Sequence, residues 1–214
     1  MLSSKHKQGE CRAWGYCDKI AKLEDMKHNQ WQKLGSKYVL ENPWYKVRQD
    51  QVIRPDGKEA TYNVVECGTS VFVVPVTSEN KILLVKLFRY TTQHEAWEIP
   101  AGGVEKGEQP LIAAKRELEE ETGMTGESWH KIGQFESMNG ITDSVAYVYE
   151  TQGLSETDHN EKVEEGITRV HAFSLEEVAT MIQNGEIVDA LSIAALMQYV
   201  VHLQLINNVS RDNG

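Results

Sequence analysis

The stretch that decides the fold runs from Gly102 to Met124 and reads GGVEKGEQPLIAAKRELEEETGM. It spaces Glu117, Glu120 and Glu121 so that, in an α-helix, their side chains share one face. Carboxylates held so close repel one another unless a doubly charged hard cation lies between them, and Mg²⁺ prefers oxygen ligands of this kind. The spacing therefore predicts a divalent-metal site suited to diphosphate chemistry.

The same stretch contains signals for both ends of a helix. Pro110 suits a first helical turn, where its missing N–H has no partner to lose, and Gly123 suits a left-handed stop. We predict a helix from Gln109 to Thr122. Its carboxylates are expected to face outward while its apolar side chains face a sheet. These apolar residues are Leu111, Ile112, Ala114 and Leu118.

Neighbouring residues have other expected roles. Arg116 adjoins the carboxylates, and a guanidinium can fix a carboxylate in one rotamer, so we expect Arg116 to orient the cluster rather than bind metal. Glu119 points off the metal face and is expected to be solvated. Gly102 and Gly103 allow the backbone to approach a ligand closely. The alternative, an ordinary acidic surface helix, explains the composition but not the spacing.

Composition limits the functions of the chain. A formal net charge of −10 over 214 residues lacks the clustered Lys and Arg that general nucleic-acid binding requires. No apolar run approaches the length of a membrane span, and the N-terminus lacks a secretory apolar core, so we expect a cytoplasmic protein without membrane contact. The three cysteines form no CxxC pair, so reduced thiols are expected rather than a disulfide or zinc site.

The chain divides into four predicted segments: a mobile extension (1–30), a small antiparallel sheet (31–68), the main domain (69–207) and a tail (208–214). Two alternating runs flank Pro55-Asp56-Gly57, which predicts a hairpin. The runs Val71–Val76 and Ile82–Leu87 are nearly all apolar and predict central strands of one main sheet. Later strands are expected at 129–135, 145–150 and 168–173, and helices at 174–184 and 189–207. This order predicts an α/β class, an α/β/α sandwich with a mixed sheet.

Gly102, Glu108, Arg116, Glu117, Leu118, Glu120, Glu121, Gly123 and Met124 together match every fixed position of the Nudix box. The chain thus resembles the Nudix hydrolases. The resemblance implies a loop–helix–loop that binds Mg²⁺, with Mn²⁺ as an alternative, and hydrolysis of a nucleoside diphosphate linked to another moiety.

Outside the box, the segments GKEATYNVVE, VKLFRY, WEIPAG and GEIVDALSIAALMQY resemble the branch that contains ADP-ribose pyrophosphatases and nucleoside diphosphate sugar hydrolases. This resemblance implies that the carbonyl of Ala101 joins Glu117, Glu120 and Glu121 in the metal shell. It also implies substrate contacts: Arg89 on the diphosphate, Glu98, Gly103 and Gly140 lining the site, and Tyr62 against the base. Arg89 could instead simply extend to solvent, and Tyr62 could be ordinary sheet surface.

A general base is expected on the acidic loop from Ser155 to His171, as in the resembled enzymes. Counting back from the RVH segment favours Glu164, then Glu165, then Glu161, with Glu120 as the alternative inside the box. A solvated loop without a catalytic role remains the structural alternative.

One departure from the resembled branch widens the substrate prediction. Met138-Asn139-Gly140 stands where ADP-ribose pyrophosphatases usually have Ser-Pro-Gly, so the glycine is kept and the proline is not. The sequence predicts a hydrolase that releases a nucleoside monophosphate and a sugar phosphate from ADP-ribose or a related compound. The alternatives are a hydrolase of GDP-mannose or of a UDP- or ADP-hexose, and a sensor that binds a nucleotide sugar without cleaving it. A homodimer formed through the N-terminal sheet is also expected.

Overall fold

The computed structural model describes residues 30–212, with side chains described up to Leu205. The predicted extension at 1–30 therefore lies almost wholly outside the described residues. The chain separates into two compact units, with the boundary between Glu66 and Cys67. No helix in the described part of the chain combines the length and apolar character that a membrane crossing needs.

The described part of the N-terminal unit forms a three-stranded antiparallel sheet in the order β1-β2-β3. Its strands are β1 (Gln32–Glu41), β2 (Lys46–Ile53) and β3 (Glu59–Glu66). The hairpin predicted at Pro55-Asp56-Gly57 joins β2 to β3, with Gly57 at a φ of 81°. The short polar turn and the alternating runs beside it form the small antiparallel sheet that the sequence predicts.

The second unit holds its strands in three sheets. A mixed four-stranded sheet has the order β7-β4-β10-β9, and a three-stranded sheet has the order β12-β5-β6. A short ladder pairs β8 with β11. The strands are β4 (Ser70–Pro75), β5 (Ile82–Arg89), β6 (His94–Glu98), β7 (Ala101–Gly103), β8 (Met124–Thr125), β9 (Ser128–Glu136), β10 (Val145–Gln152), β11 (Ser155–Glu156) and β12 (Ile167–Phe173).

Three helices cover these sheets: α1 (Pro110–Thr122), α2 (Leu175–Asn184) and α3 (Ala190–Asp212). One core packs α2 and α3 against β4, β5 and β10. A smaller core packs Ala113, Ala114 and Leu118 of α1 against Val71, Val73 and Tyr149. Helices thus lie on both sides of the strands, which confirms the predicted α/β/α sandwich with a mixed sheet.

Two predicted features are wrong in detail. The apolar strands β4 and β5 are buried as expected, but they belong to different sheets, which a bridge between Val76 and Ile82 links. Ile112 of α1 is exposed, whereas the carboxylates of Glu117 and Glu121 are buried. Positions four residues apart share a helix face, so burial of Ala113 also turns the two glutamates inward.

Candidate active site

Helix α1 brings two carboxylates against the strand that precedes it. The side chain of Glu121 accepts a hydrogen bond of 3.0 Å from the backbone N–H of Ala101 on β7. Glu117 and Glu121 are buried, and Glu120 is half-buried. The helix runs from Pro110 to Thr122 and is followed by Gly123, whose φ of 69° places it in the left-handed region. Both ends agree with the sequence prediction within one residue.

The environment of these carboxylates resists negative charge. Burial raises the pKa of Glu121 to about 8, and the charges of Glu117 and Glu165 act in the same direction. Burial also raises the pKa of Glu117, and this effect outweighs the attraction of Arg116. Two carboxylates in such a site become stable as anions when a cation shares their space. The donor set therefore fits a hard divalent metal ion.

Arg116 connects the helix to the loop before it. Its Nη1 donates to Glu117 at 2.8 Å and to Glu120 at 2.9 Å. Its Nε and Nη2 donate to Glu108, both at 3.2 Å, and Nη2 also reaches the carbonyl of Gly103 at 2.9 Å. The hydrogen bond to Glu108 is the largest cause that raises the pKa of Arg116, so the guanidinium stays charged. Arg116 thus contacts three carboxylates, and its role in orienting them stays a prediction.

Gly102 makes room for one of the carboxylates. A Cβ built at this position would lie 2.0 Å from the carboxylate carbon of Glu117. Any larger residue at position 102 would therefore displace this carboxylate. The glycine therefore forms part of the cradle that holds Glu117.

Arg89 and Glu98 form a bidentate pair beside this cradle. The guanidinium donates from Nε at 3.0 Å and from Nη2 at 2.6 Å to the two oxygens of Glu98. Glu98 is buried, whereas about half of the Arg89 side chain is exposed. The hydrogen bond to Glu98 raises the pKa of Arg89, and Glu121 adds to the shift. Arg89 is thus a fixed positive charge within electrostatic range of Glu121 on α1.

Arg89 and Glu98 line a cavity of about 520 Å³, which we call the Arg89 cleft. Arg89 and Glu98 lie on one wall, and Ala101 and Gly102 form another. Several hydroxyl and acidic side chains also line the cleft, among them Ser70, Thr91, Thr92 and Asp189. The remaining lining is largely apolar, so the cleft suits a ligand that has both an anionic part and an apolar part.

Sequence reasoning missed the role of Asp189. Its carboxylate accepts a 2.7 Å hydrogen bond from the N–H of Ser192 in the first turn of α3. Ser192 is fully buried, and its hydroxyl accepts from the N–H of Ile99 at 3.2 Å. The start of α3 is thereby attached to the segment that carries Glu98. The signal in the sequence was an Asp one residue before the helix, a favoured capping position.

Two predicted glutamates of the acidic loop come near α1: Glu161, with a carboxylate oxygen within 4.8 Å of one of Glu120, and Glu165. The charge of Glu165 contributes to the raised pKa of both Glu117 and Glu121. Glu164 and Glu165 are both exposed in the same turn, and Glu161 is half-buried beside α1. The sequence ranks Glu164 first, whereas the effect of its charge on both buried carboxylates favours Glu165, and the identity of the base stays a prediction.

Three other predicted substrate residues are Tyr62, Gly103 and Gly140. Tyr62 belongs to β3 of the N-terminal unit, where its ring contacts Trp31 edge-on with centroids 5.3 Å apart. Gly140 is exposed in the loop between β9 and β10. Gly103 contacts the site through its carbonyl, which accepts from Arg116. Contact of these residues with a substrate stays a prediction.

Comparison with known proteins supports both units. The fold is similar to the crystal structure of an ADP compounds hydrolase, with a TM-score of 0.73 and 17% identity over 82% of this chain and 95% of that one. An ADP-ribose pyrophosphatase of Bacillus subtilis (strain 168) is 36% identical over 71% of this chain and 82% of its own length. An ADP-ribose pyrophosphatase of Mycobacterium tuberculosis is 30% identical over 80% and 84%, respectively.

Two family models match, and their limits agree with the two units. A model of the nucleoside diphosphate sugar hydrolase N-terminal domain matches residues 31–65. A model of the NUDIX domain matches residues 68–195 and so contains α1, the Arg89 cleft and the acidic loop. The carboxylates of α1 stand at the fixed positions of the Nudix box. The chain belongs to the Nudix family.

Proposed function

We propose that this protein is a Nudix pyrophosphatase that cleaves the diphosphate of ADP-ribose or of a related nucleoside diphosphate sugar. The products are a nucleoside monophosphate and a sugar phosphate. One observation carries the proposal: the Arg89–Glu98 pair lines a cleft together with Ala101 and Gly102, and the buried carboxylates of α1 contact the backbone of these last two residues. The similarity to the two ADP-ribose pyrophosphatases supports the choice of substrate class.

Metal binding is assigned to Glu117, Glu120 and Glu121, with the carbonyl of Ala101 as a further ligand. We propose Mg²⁺ as the ion, with Mn²⁺ as the alternative, because the donors are all oxygen atoms. Such an ion, when bound, neutralises charge on the diphosphate and lowers the pKa of a coordinated water. Nudix enzymes in general use divalent metals.

The remaining steps belong to side chains of this protein. Arg89, held in place by Glu98, binds two phosphate oxygens through its planar fork. Glu165 accepts a proton from the attacking water as the new P–O bond forms. The anhydride P–O bond breaks, and the leaving phosphate keeps the bonding electrons. The fixed charge of Arg89 stabilises the negative charge that develops during this step.

The first test is hydrolysis with Mg²⁺ of a panel containing ADP-ribose, ADP-glucose, UDP-glucose, GDP-mannose, NADH and capped RNA. We expect AMP and ribose phosphate from ADP-ribose. The double variant Glu117→Gln/Glu121→Gln should lose turnover by about 100-fold or more while keeping its fold. Glu176→Gln, an exposed charge change on α2, is the matched control. Unchanged turnover in the double variant would refute the assignment.

A hexose conjugate is the second candidate substrate, and the match of residues 31–65 to a nucleoside diphosphate sugar hydrolase domain favours its inclusion. Preference for GDP-mannose or for a UDP- or ADP-hexose in the panel would select this candidate. Binding of these compounds without turnover would instead indicate a sensor. Cytoplasmic location and the absence of nucleic-acid binding stay predictions from the sequence.

A homodimer formed through the N-terminal sheet is also proposed. Strand β1 is the edge of this sheet and is exposed along its whole length. Large apolar side chains are exposed on β1 and on either side of it: Trp31, Leu34, Tyr38, Val39, Leu40, Trp44 and Tyr45. An edge strand with such a surface favours pairing with a second copy.

Light scattering during size-exclusion chromatography tests the dimer. We expect the mass of two chains for the native protein and of one chain for Val39→Asp. Ser78→Asp adds the same charge in the turn between β4 and β5 and should leave the dimer intact. A native protein that elutes as a monomer would contradict the proposal.

A further inference from the structure

Within the acidic loop, the segment Thr157–Gly166 is attached through its backbone to the last turn of α1. The N–H of Thr157 donates to the carbonyl of Gly123 at 2.9 Å, and the N–H of Glu161 donates to the carbonyl of Glu120 at 2.7 Å. Both acceptors lie at the end of the helix, where carbonyl groups have no partner within the helix. These two bonds form with any side chain at the same positions.

A third bond depends on two particular side chains. The hydroxyl of Thr157 donates to the carboxylate of Glu119 at 2.8 Å, and both residues are half-buried. The same hydroxyl accepts from the N–H of His159 at 3.2 Å. Hydrogen bonds to an ionised carboxylate are stronger than neutral ones. Glu119 was expected to be solvated, and its role as an acceptor for the loop is a correction of that prediction.

The segment between this anchor and Glu165 is a compact turn. The N–H of Glu165 donates to the carbonyl of Glu161 at 3.0 Å, and the N–H of Ile167 donates to the carbonyl of Lys162 at 2.8 Å. The side chain of Lys162 lies over the end of the helix, since a Cβ built at Gly123 would be 3.1 Å from its Nζ. A displacement of the anchor would therefore move Glu165.

We propose that Glu119 and Thr157 are positioning residues that hold Glu165 toward Glu117 and Glu121. This inference rests on the proposed function, in which Glu165 accepts the proton of the attacking water. Glu119 stands at the variable position of the box, between Leu118 and the metal-binding pair. Helix α1 thus presents carboxylates to the metal on one side and a carboxylate to the catalytic loop on the other.

Matched variants separate the hydrogen bond from packing. Thr157→Val removes the hydroxyl but keeps the side-chain shape, and Thr157→Ser keeps the hydroxyl. Glu119→Ala removes the acceptor, and Glu119→Gln keeps an acceptor oxygen. We expect kcat to fall about 10-fold in the first member of each pair with little change in KM, since small misplacement of a reacting group is costly. The conservative members should stay near the native rate.

Two further measurements show whether the effect acts through Glu165. In a Glu165→Gln background, Thr157→Val should cause no further loss of kcat, because the group being positioned is already absent. The amides of Glu161 and Ile167 should exchange hydrogen faster in Thr157→Val than in Thr157→Ser. Native kcat in Thr157→Val, or an equal loss in Thr157→Ser, would overturn the proposal. So would an undiminished Thr157→Val effect in the Glu165→Gln background.

Failure of the proposed function gives a different pattern. A native protein that hydrolyses no member of the substrate panel refutes the pyrophosphatase assignment. Hydrogen exchange still judges the anchor in that case, because it requires no turnover. Faster exchange in Thr157→Val supports the anchor, and identical exchange in Thr157→Val and Thr157→Ser overturns it.

Discussion

The two units of this protein are stabilised in different ways. Among the described residues of the N-terminal unit, only Asp50 and Val52 are buried, and cross-strand polar contacts accompany a largely exposed sheet. The second unit buries apolar side chains in three clusters. A three-stranded sheet that buries so few side chains has little hydrophobic stabilisation of its own, whereas the second unit has a hydrophobic core.

The largest expected difference between the units is in the free energy of unfolding lost when one leucine of each unit is replaced by alanine. Leu118 of α1 is fully buried, whereas Leu34 of β1 is more than half exposed. Leu118→Ala should lower the free energy of unfolding by about 2–5 kcal/mol, because it leaves a cavity in the core. Leu34→Ala should change it by less than about 0.5 kcal/mol in the monomer. Urea denaturation at low protein concentration measures both, and equal losses would contradict the comparison.

Matched glycines give the next effect, on activity. A Cβ at Gly102 would lie 2.0 Å from the carboxylate carbon of Glu117, whereas a Cβ at Gly35 on β1 would meet nothing within 4 Å. Gly102→Ala should lower kcat about 100-fold through displacement of a metal ligand. Gly35→Ala should leave kcat unchanged. Steady-state kinetics together with circular dichroism would detect the opposite result, a native rate in Gly102→Ala.

Low pH should lower the stability of the N-terminal unit because Asp50 becomes protonated. Burial opposes ionisation of this carboxylate, but hydrogen bonds from Ser36 and Arg48 outweigh burial and hold its pKa below the ordinary value. A lowered pKa stabilises the fold above the unfolded-state pKa of about 4, and this contribution is lost as the pH falls further. Asp50→Asn should reduce the loss of stability between neutral and acid pH.

Urea denaturation at a series of pH values measures this dependence. Glu59→Gln, an exposed charge change on β3 in the same unit, is the control and should follow the native profile. Identical pH profiles for the native protein and Asp50→Asn would show that Asp50 does not carry the effect.

The smallest effect is expected at the helix caps of the second unit. The Ser174 side chain caps α2 in a complete capping box with Glu177, whereas Gln109 before α1 makes no side-chain cap. Ser174→Ala should cost about 1 kcal/mol, and Gln109→Ala should cost almost nothing. Thermal denaturation distinguishes them. A larger loss in Ser174→Ala than in Leu118→Ala would mean that the core is not the main source of stability.

Local sequence signals predicted the helices well because their causes are local. Pro110 and Gly123 delimit α1, and the pair Ser174 and Glu177 marks the start of α2. Helix α3 begins one residue after the predicted Asp189 and extends beyond the predicted end. The sequence has no glycine or proline at the predicted end of α3, so the predicted end rested on apolar periodicity alone.

Strand pairing depended on distant residues and was predicted less well. The segment of β7 contains two glycines and has no strand pattern in the sequence, yet its pairing with Ser70, Val71 and Phe72 makes it a strand. Strand β6 was missed for the same reason, since it exists by pairing with β5. The choice between Glu164 and Glu165 likewise needs the direction of a turn, which adjacency in sequence does not reveal.

The parallel pairing of β4 with β10 has a consequence for how the site forms. Val71 lies opposite Tyr147, and the helix with the metal-binding carboxylates lies in the chain between them. Contacts between residues so far apart in sequence form slowly, because a long segment must be ordered before they are gained. During synthesis, α1 leaves the ribosome well before β10, the later of the two paired strands, does. We expect the nascent chain to acquire metal affinity only after β10 has been made and has docked.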